Sequence, residues 1–561
     1  MRTHKIAIVT LSTMMFLLVS SCKKFNEVND NPNSPEKVSS NYILAYVLTE
    51  TSRAYYNLGN EQSKIAGLMQ YVQVGTNENA AAVNFYGWGH ESWFGYYNIL
   101  RNVKIINDNA KRDNNKFFEG ISLVMKSFLF GMMTDLYGDI PYSEALNAEG
   151  EVFFPKYDQQ GDVYKGIIED LKTATVLFAS LNPSTDVIDA GSDVIFGGNG
   201  SKWNKFANAL LLRYCMRLYN KKSEMTALGI NVIQEFNKAA SGAFGSVAEE
   251  ATLKFLGTTG ENSSAGGSIN SSNPKYYIKP AASIVNKLRA LHDPRLERWT
   301  NPALYKWDVN ALTVQDITVT NIFGEHYTVK IKPAALTDAV DTSLYVGLPV
   351  GLATVDALIY NKGTDNQSYP PERNPYISYL HDRYRMNAET YVTMKLMTYS
   401  EVEFLLAEAA QKGDFDVPGT AELHYKKGIE ASMNGYGIIG AAAGFDFDDY
   451  YASSDVDYNT AADKLERIME QKWIALWLSI ESWFDWRRTG LPDLKTGPVT
   501  QFGDKLPLRY MYPSPNLDPS YLQNYEAAIA GMQATPNVPE GQSTDHSYSK
   551  MWLLQGTSKP W

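Results

Sequence analysis

Apolar residues recur three and four apart over several long stretches, the spacing that lays one face of an α-helix against a core. Phe118, Ile121, Val124, Met125, Phe128, Leu129, Met132, Met133 and Leu136 form one such face. Trp203, Phe206, Ala207, Leu210, Leu211, Tyr214 and Leu218 form another. A third runs through Val402, Leu405, Leu406, Ala409 and Ala410 and stops at Gly413; its successor runs from about Ala421 to Met433 and closes near Gly435, predicting a helix pair. One more helix is predicted from Asp463, with Glu466 placed three residues on as in a capping box. Its apolar face continues through Leu465, Ile468, Met469, Trp473, Leu476, Trp477, Ile480 and Phe484, and Arg487, Arg488, Gly490 and Pro492 mark its end.

Between these segments the pattern loosens. Residues 257–274 are a Gly/Ser/Asn loop, and 308–350 carry short β-prone runs such as Thr313-Val314 and Tyr327 to Ile331, which predict small β-hairpins. The chain therefore reads as mostly α. Its helix pairs resemble tetratricopeptide units stacked into an α–α superhelical scaffold with a loop-rich region, although no strict 34-residue repeat is present.

The first residues follow a different logic. Arg2 and Lys5 precede an apolar run from Ile6 to Val19, too short for a comfortable membrane span and suited to a secretory signal. It ends in Leu18-Val19-Ser20-Ser21-Cys22, the pattern of a bacterial lipoprotein signal in which Cys22 is acylated and becomes the new N-terminus. Each buried methylene of such an anchor contributes about 0.8 kcal/mol. The predicted organisation is a signal peptide over 1–21, a flexible tether over 22–40 containing Pro32 and Pro35, and a single domain over 41–561 with its irregular part mainly in 240–400.

Composition narrows the function classes. With 62 acidic against 51 basic side chains and a net charge of −11, the chain is not a general nucleic-acid binder, which needs basic surface to displace counterions. Two cysteines, Cys22 and Cys215, exclude a disulfide framework and a thiolate zinc site; Cys215 sits in an apolar stretch and is expected in the core. The 11 Trp, 36 Tyr and 23 Phe are a surplus of aromatics that needs placing.

A search for catalytic chemistry finds none. The seven histidines include no pair three or four apart, and the H-E-x-x-H, G-x-S-x-G and phosphate-loop motifs are absent. Gly435-Tyr436-Gly437-Ile438-Ile439-Gly440 fits G-x-G-x-x-G, but it follows a helix and not a strand, and Gly435 is better explained as a helix stop. Asp455, Asp457, Asn459, Asp463 and Glu466 fall at positions 1, 3, 5, 9 and 12 of an EF-hand-like loop, a weak calcium candidate, because Thr460 stands where glycine is needed. No other metal or cofactor is expected. A glycosidase carboxylate pair cannot be recognised by counting acids.

Taken together, the segments resemble the SusD/RagB family, surface lipoproteins of Bacteroidetes that work with TonB-dependent transporters. The resemblance rests on Asn29 to Asn33, Asp135-Leu136-Tyr137-Gly138-Asp139-Ile140-Pro141-Tyr142-Ser143-Glu144-Ala145, Pro155 to Asp158, and Trp203 to Asn208 with Arg213 and Arg217. It continues through Asp293-Pro294-Arg295, Ser400 to Ala409, Gln471-Lys472-Trp473, Trp483, Arg487 to Pro492 and Arg509 to Pro513. It implies four tetratricopeptide-like helix pairs and no catalysis. It also implies a lipid-anchored protein on the outer face of the outer membrane that captures a nutrient, typically an oligosaccharide, for a SusC-like barrel beneath. Peptide or another nutrient as cargo, a surface glycosidase, and a lid whose barrel does the recognition are the competing readings. Sugar rings pack their C–H faces on aromatic rings. The expected ligand contacts are therefore Tyr86, Trp88 and His90, in a glycine-flanked turn before the helix containing Trp93 and Tyr97, together with Tyr345. Trp203, Trp473, Trp477 and Trp483 lie on helical apolar faces and are expected in the core.

Overall fold

A computed structural model describes residues 38–61, 64–74, 86–258, 278–369, 374–385, 392–498, 505–514, 519–557 and 559. The expected signal peptide, Cys22 and residues 23–37 of the expected tether, with most of the 257–274 loop, lie outside them.

The helical faces form the scaffold. Its helices include α1 (Ser40–Asn60), α2 (Phe94–Asp113), α3 (Lys116–Tyr137), α4 (Gln160–Ala179), α5 (Gly200–Arg217), α6 (Val232–Ala240), α7 (Tyr399–Lys412), α8 (Ala421–Gly435), α9 (Lys464–Ala475) and α10 (Glu481–Thr489). Helix α3 starts where the Asn115 side chain accepts hydrogen bonds from the Phe117 and Phe118 amides, at 3.0 and 3.1 Å. It is apolar almost all round, which places it in the middle of the domain. Among the described residues it alone has the length and composition of a membrane span, and nearly all of it is buried in protein. Successive helices pack as neighbours from α2 to α5, and α7 pairs with α8. Helices α3 and α5 come so close that a Cβ at Gly131 would collide with the Tyr214 ring.

Short strands decorate this scaffold: β1 (Val72–Val74), β2 (Ala251–Lys254), β3 (Ile278–Pro280), β4 (Tyr305–Asp308), β5 (Gln315–Thr320), β6 (His326–Pro333) and β7 (Thr393–Met397). Strand β1 pairs antiparallel with β3, with Gln73 opposite Lys279, and β7 pairs antiparallel with β2, with Thr393 opposite Lys254. The expected hairpin is β5–β6, antiparallel from Gln315↔Ile331 to Thr320↔His326, with β4 added parallel to β6. It starts at Gln315, so Thr313 and Val314 precede it.

The helix expected to run unbroken from Asp463 to Arg488 is two helices. Asp463 does cap it, accepting from the Glu466 amide at 3.0 Å. At Leu478 the backbone turns left-handed, with φ +58°, and a new helix begins at Glu481. The cause is tertiary: the 478–480 backbone lies directly on α1 at Gly59, where any side chain would strike the Leu478 carbonyl. The helix-stop reading also shifts, because α8 includes Gly435 and the left-handed residue after it is Gly437, with φ +62°.

Buried charge ties the helices together. Arg217 of α5 donates to Asp135 of α3 at 2.5 Å and to Glu481 of α10; Arg213 of α5 forms a two-pronged pair with Glu401 of α7, at 2.7 and 2.8 Å. Burial alone would lower both guanidinium pKa values, but the facing carboxylates hold them well above the usual arginine range. Arg488 of α10 pairs with Glu408 of α7 and with Asp485.

Candidate functional site

Where the structure puts the expected contact residues differs from their sequence setting. Tyr86 does lie in a turn, with φ +54°, but its ring is only 1% exposed. Trp88 is 8% exposed and packs edge-to-face on Trp483 and Tyr510, with ring centroids 5.4 and 5.3 Å away. The left-handed residue of this turn is Tyr86 itself, and rings this large are stabilised by burial. Tyr345 is 7% exposed and belongs to the core. His90 keeps 37% of its side chain exposed while Nδ1 meets the Tyr512 carbonyl at 2.7 Å. None of these four is among the described residues lining the cleft below. Trp203, Trp473, Trp477 and Trp483 are core, as expected.

An aromatic cleft opens elsewhere, where the break between α9 and α10 faces the C-terminal end of α1. Tyr55, Tyr56 and Asn60 of α1 form one wall. Val392 with Thr393 and Lys395 of β7 form the second, and Gly435 and Tyr436 at the end of α8 the third. Tyr384 and the Trp477-Leu478-Ser479 turn close the bottom, and the space is about 650 Å³ counted out to its mouth. No carboxylate is among the described lining residues.

The lining combines apolar rings with hydrogen-bonding groups. Trp477 lies flat against Trp299, centroids 4.6 Å apart and planes 5° from parallel, which fixes its ring. Its Nε1–H is buried with no acceptor among the described residues, although the side chain is 5% exposed and lines the cleft. A buried donor left unpaired costs about 1–3 kcal/mol, so it marks a place where a ligand oxygen or water is wanted. The Lys395 ammonium sits 3.9 Å from the Tyr436 ring centroid, a cation–π contact. Behind it, burial raises the Glu250 carboxyl to about 7, although Lys395 and a hydrogen bond from the Tyr399 amide pull the other way. Tyr55 donates to Glu481 at 2.7 Å, which couples the cleft wall to the buried charge network.

Sequence periodicity missed this site. Trp477 was assigned to a helical core face, and only the turn at Leu478, set by contact with Gly59, gives it a cavity edge. Tyr55, Tyr384, Lys395 and Tyr436 carry no shared motif.

The whole chain matches known proteins along most of its length. A SusD-like family model, described as "Starch-binding associating with outer membrane", covers residues 32–315 and 325–513. The chain belongs to the SusD-like family. Members of this family are nutrient-binding proteins associated with the outer membrane. Solved SusD-like structures share the fold at low identity. A SusD homolog from Bacteroides fragilis is 22% identical with a TM-score of 0.68, covering 92% of this chain and 100% of that one. A SusD/RagB family protein from Bacteroides thetaiotaomicron is 24% identical with a TM-score of 0.61, covering 93% and 100%. A chitin-binding protein is 24% identical with a TM-score of 0.66, covering 92% and 99%. No curated protein matches the chain.

The SusD-like scaffold is the tetratricopeptide-like helical one described above. Among the described residues no group of three or more His, Cys, Asp or Glu side chains could hold a metal. In the acidic loop proposed for calcium, Asp463 is engaged as a helix cap, Asp457 accepts from the Asn459 amide at 2.8 Å, and Asn459 donates to Glu422 at 2.9 Å. Cys215 is buried, and burial pushes its thiol far above the usual range.

Proposed function

We propose that this protein captures an oligosaccharide at the cell exterior and delivers it to a SusC-like TonB-dependent transporter. In this reading residues 1–21 are removed, Cys22 carries the lipid anchor in the outer membrane, 22–40 form the tether, and 41–561 act as one binding domain. The observation that carries the reading is the aromatic cleft, where Trp477 offers an unpaired Nε1–H among Tyr55, Tyr56, Tyr384 and Tyr436. Rings with a few donors suit a sugar, whose C–H faces pack on aromatics while its hydroxyls take hydrogen bonds. The family description and the chitin-binding relative favour glycan over peptide cargo. Capture is favoured over hydrolysis because the described cleft lining has no carboxylate pair to act as acid and nucleophile. His90, the exposed member of the expected contact set, is an outlying contact for a longer chain; Tyr86, Trp88 and Tyr345 act through packing.

The test is calorimetric titration of the soluble form with starch- and chitin-derived oligomers, and with peptides as the competing cargo. Trp477→Phe keeps a ring and removes the donor, and should weaken glycan affinity about tenfold. Unchanged affinity in Trp477→Phe and in Tyr56→Ala would remove the cleft from the reading. Product release, lost on mutating one carboxylate, would replace capture by hydrolysis. A detergent pull-down from native membranes should bring a large β-barrel along; recovery of the protein alone counts against the transporter partnership.

A further inference from the structure

A second cavity lies on the far side of α10, lined by Lys412, Arg488, Lys559, Thr489, Thr557 and Asn220 among others, with about 800 Å³ counted to its mouth. No carboxylate is among its described lining residues, in a chain whose net charge is −11. The charges behind it leave a surplus of cation. Arg488 is held by Glu408 at 2.5 and 2.7 Å and by Asp485 at 2.8 Å, Lys412 reaches the same Glu408 at 3.5 Å, and Lys472 takes Asp485 at 2.6 Å. Two buried acids thus serve three cations before Lys559 is counted. No described carboxylate lies within ion-pair distance of Lys559, whose side chain reaches the Gly490 end of α10.

Two further observations point to a ligand. Arg488 is 4% exposed, yet its Nε–H is buried with no acceptor among the described residues. Burial and then the neighbouring Arg488 charge depress the Lys559 ammonium pKa; for Lys412, burial likewise depresses it, with Arg488 and Lys559 adding to the effect while Glu408 opposes it. An adjoining hollow shares Thr489 and Lys559 and is lined also by Lys495, which pairs with Asp493 at 2.6 Å.

We propose that this cavity binds an oxyanion, a phosphate, sulfate or carboxylate group borne by a soluble ligand, seated among Lys412, Arg488 and Lys559. Charge-assisted hydrogen bonds from ammonium and guanidinium groups are the strong ones, and partial burial protects them from salt. The concave lining suits a protruding substituent and excludes a flat membrane surface from Arg488. The site is separate from the aromatic cleft, so the proposal does not depend on the saccharide reading.

The soluble protein is titrated calorimetrically with sodium phosphate, sodium sulfate and sodium acetate, with sodium chloride at matched ionic strength as control. Saturable binding of phosphate or sulfate but not chloride is expected. Lys559→Ala should weaken it about tenfold and Lys559→Arg should retain it. Arg488 stays intact in these variants, since removing it would strand buried Glu408. Oxyanion binding no different from chloride would overturn the proposal, and so would binding that survives Lys559→Ala. Co-sedimentation with phosphatidylglycerol vesicles that requires Lys559 would assign the cavity to a lipid headgroup and overturn the soluble-ligand reading.

Discussion

Replacing Glu481 by alanine tests whether the buried charge network holds the helices together. One Glu481 oxygen accepts from Tyr55 at 2.7 Å, the other takes Arg217, and Arg213 lies 3.5 Å away. Both guanidiniums show only 2% of their side chains to solvent. Breaking a buried ion pair by deleting one partner costs about 3–5 kcal/mol. Here the lower end applies, because Arg217 keeps Asp135 and Arg213 keeps Glu401. An unfolding entropy of about 2.1 cal/mol/K per residue gives a domain of roughly five hundred residues about 1 kcal/mol per kelvin, so Tm should fall by about 3 °C. Although burial opposes it, Arg213 and Arg217 depress the Glu481 pKa. Its contribution is therefore present above the unfolded glutamate pKa and is lost as pH falls through the depressed folded value. The parent and Glu481→Ala should accordingly converge in acid. Differential scanning calorimetry at pH 7 reads the shift. A Tm within 1 °C of the parent would refute the idea that the network's charges are balanced by specific pairing. Glycan affinity should fall too, since Tyr55 is a cleft wall.

Two other outcomes follow from buried groups. Burial raises Glu250 to about 7, so the folded state keeps it protonated while the unfolded chain ionises near 4.5. Folding stability should therefore drop as pH rises from about 4.5 to 7, and Glu250→Gln should remove that drop, gaining about 3 kcal/mol at pH 8 and almost nothing at pH 4; parallel Tm-against-pH curves would refute it. Cys215 is fully buried and its thiol is pushed far above the usual range, so a soluble form lacking Cys22 should show no reactive thiol towards Ellman's reagent when native and one in urea. Rapid native reaction would place Cys215 at an accessible surface.

How far the chain could be read depends on where each instruction is stored. Helices α3, α5, α7 and α8 were legible because local spacing and local caps specify them: Asn115, Asn199, Thr398 and Thr420 each accept from amides two or three residues ahead. The break at Leu478 was not, since no glycine or proline marks it and its cause is Gly59, far away in sequence. The glycines around Trp88 signalled a turn correctly but could not say that the turn folds the ring inward onto Trp483.

The same distinction explains why the family was plain and the site was not. Asp135, Arg213, Arg217, Glu401 and Arg488, all in the motifs that carried the resemblance, turn out to be buried ionic partners joining α3, α5, α7 and α10. A buried charge fixes its partner's position, so such residues specify which helices meet and say nothing of cargo. The cleft residues carry the opposite kind of information. Tyr55, Tyr384, Lys395, Tyr436 and Trp477 come from five separate segments, and Tyr55 joins the ionic network through its bond to Glu481. A cavity assembled this way can change its lining, and hence its ligand, without disturbing the pairs that hold the scaffold. Legible motifs and an illegible cargo are therefore two consequences of one division of labour between buried charge and cleft-lining rings.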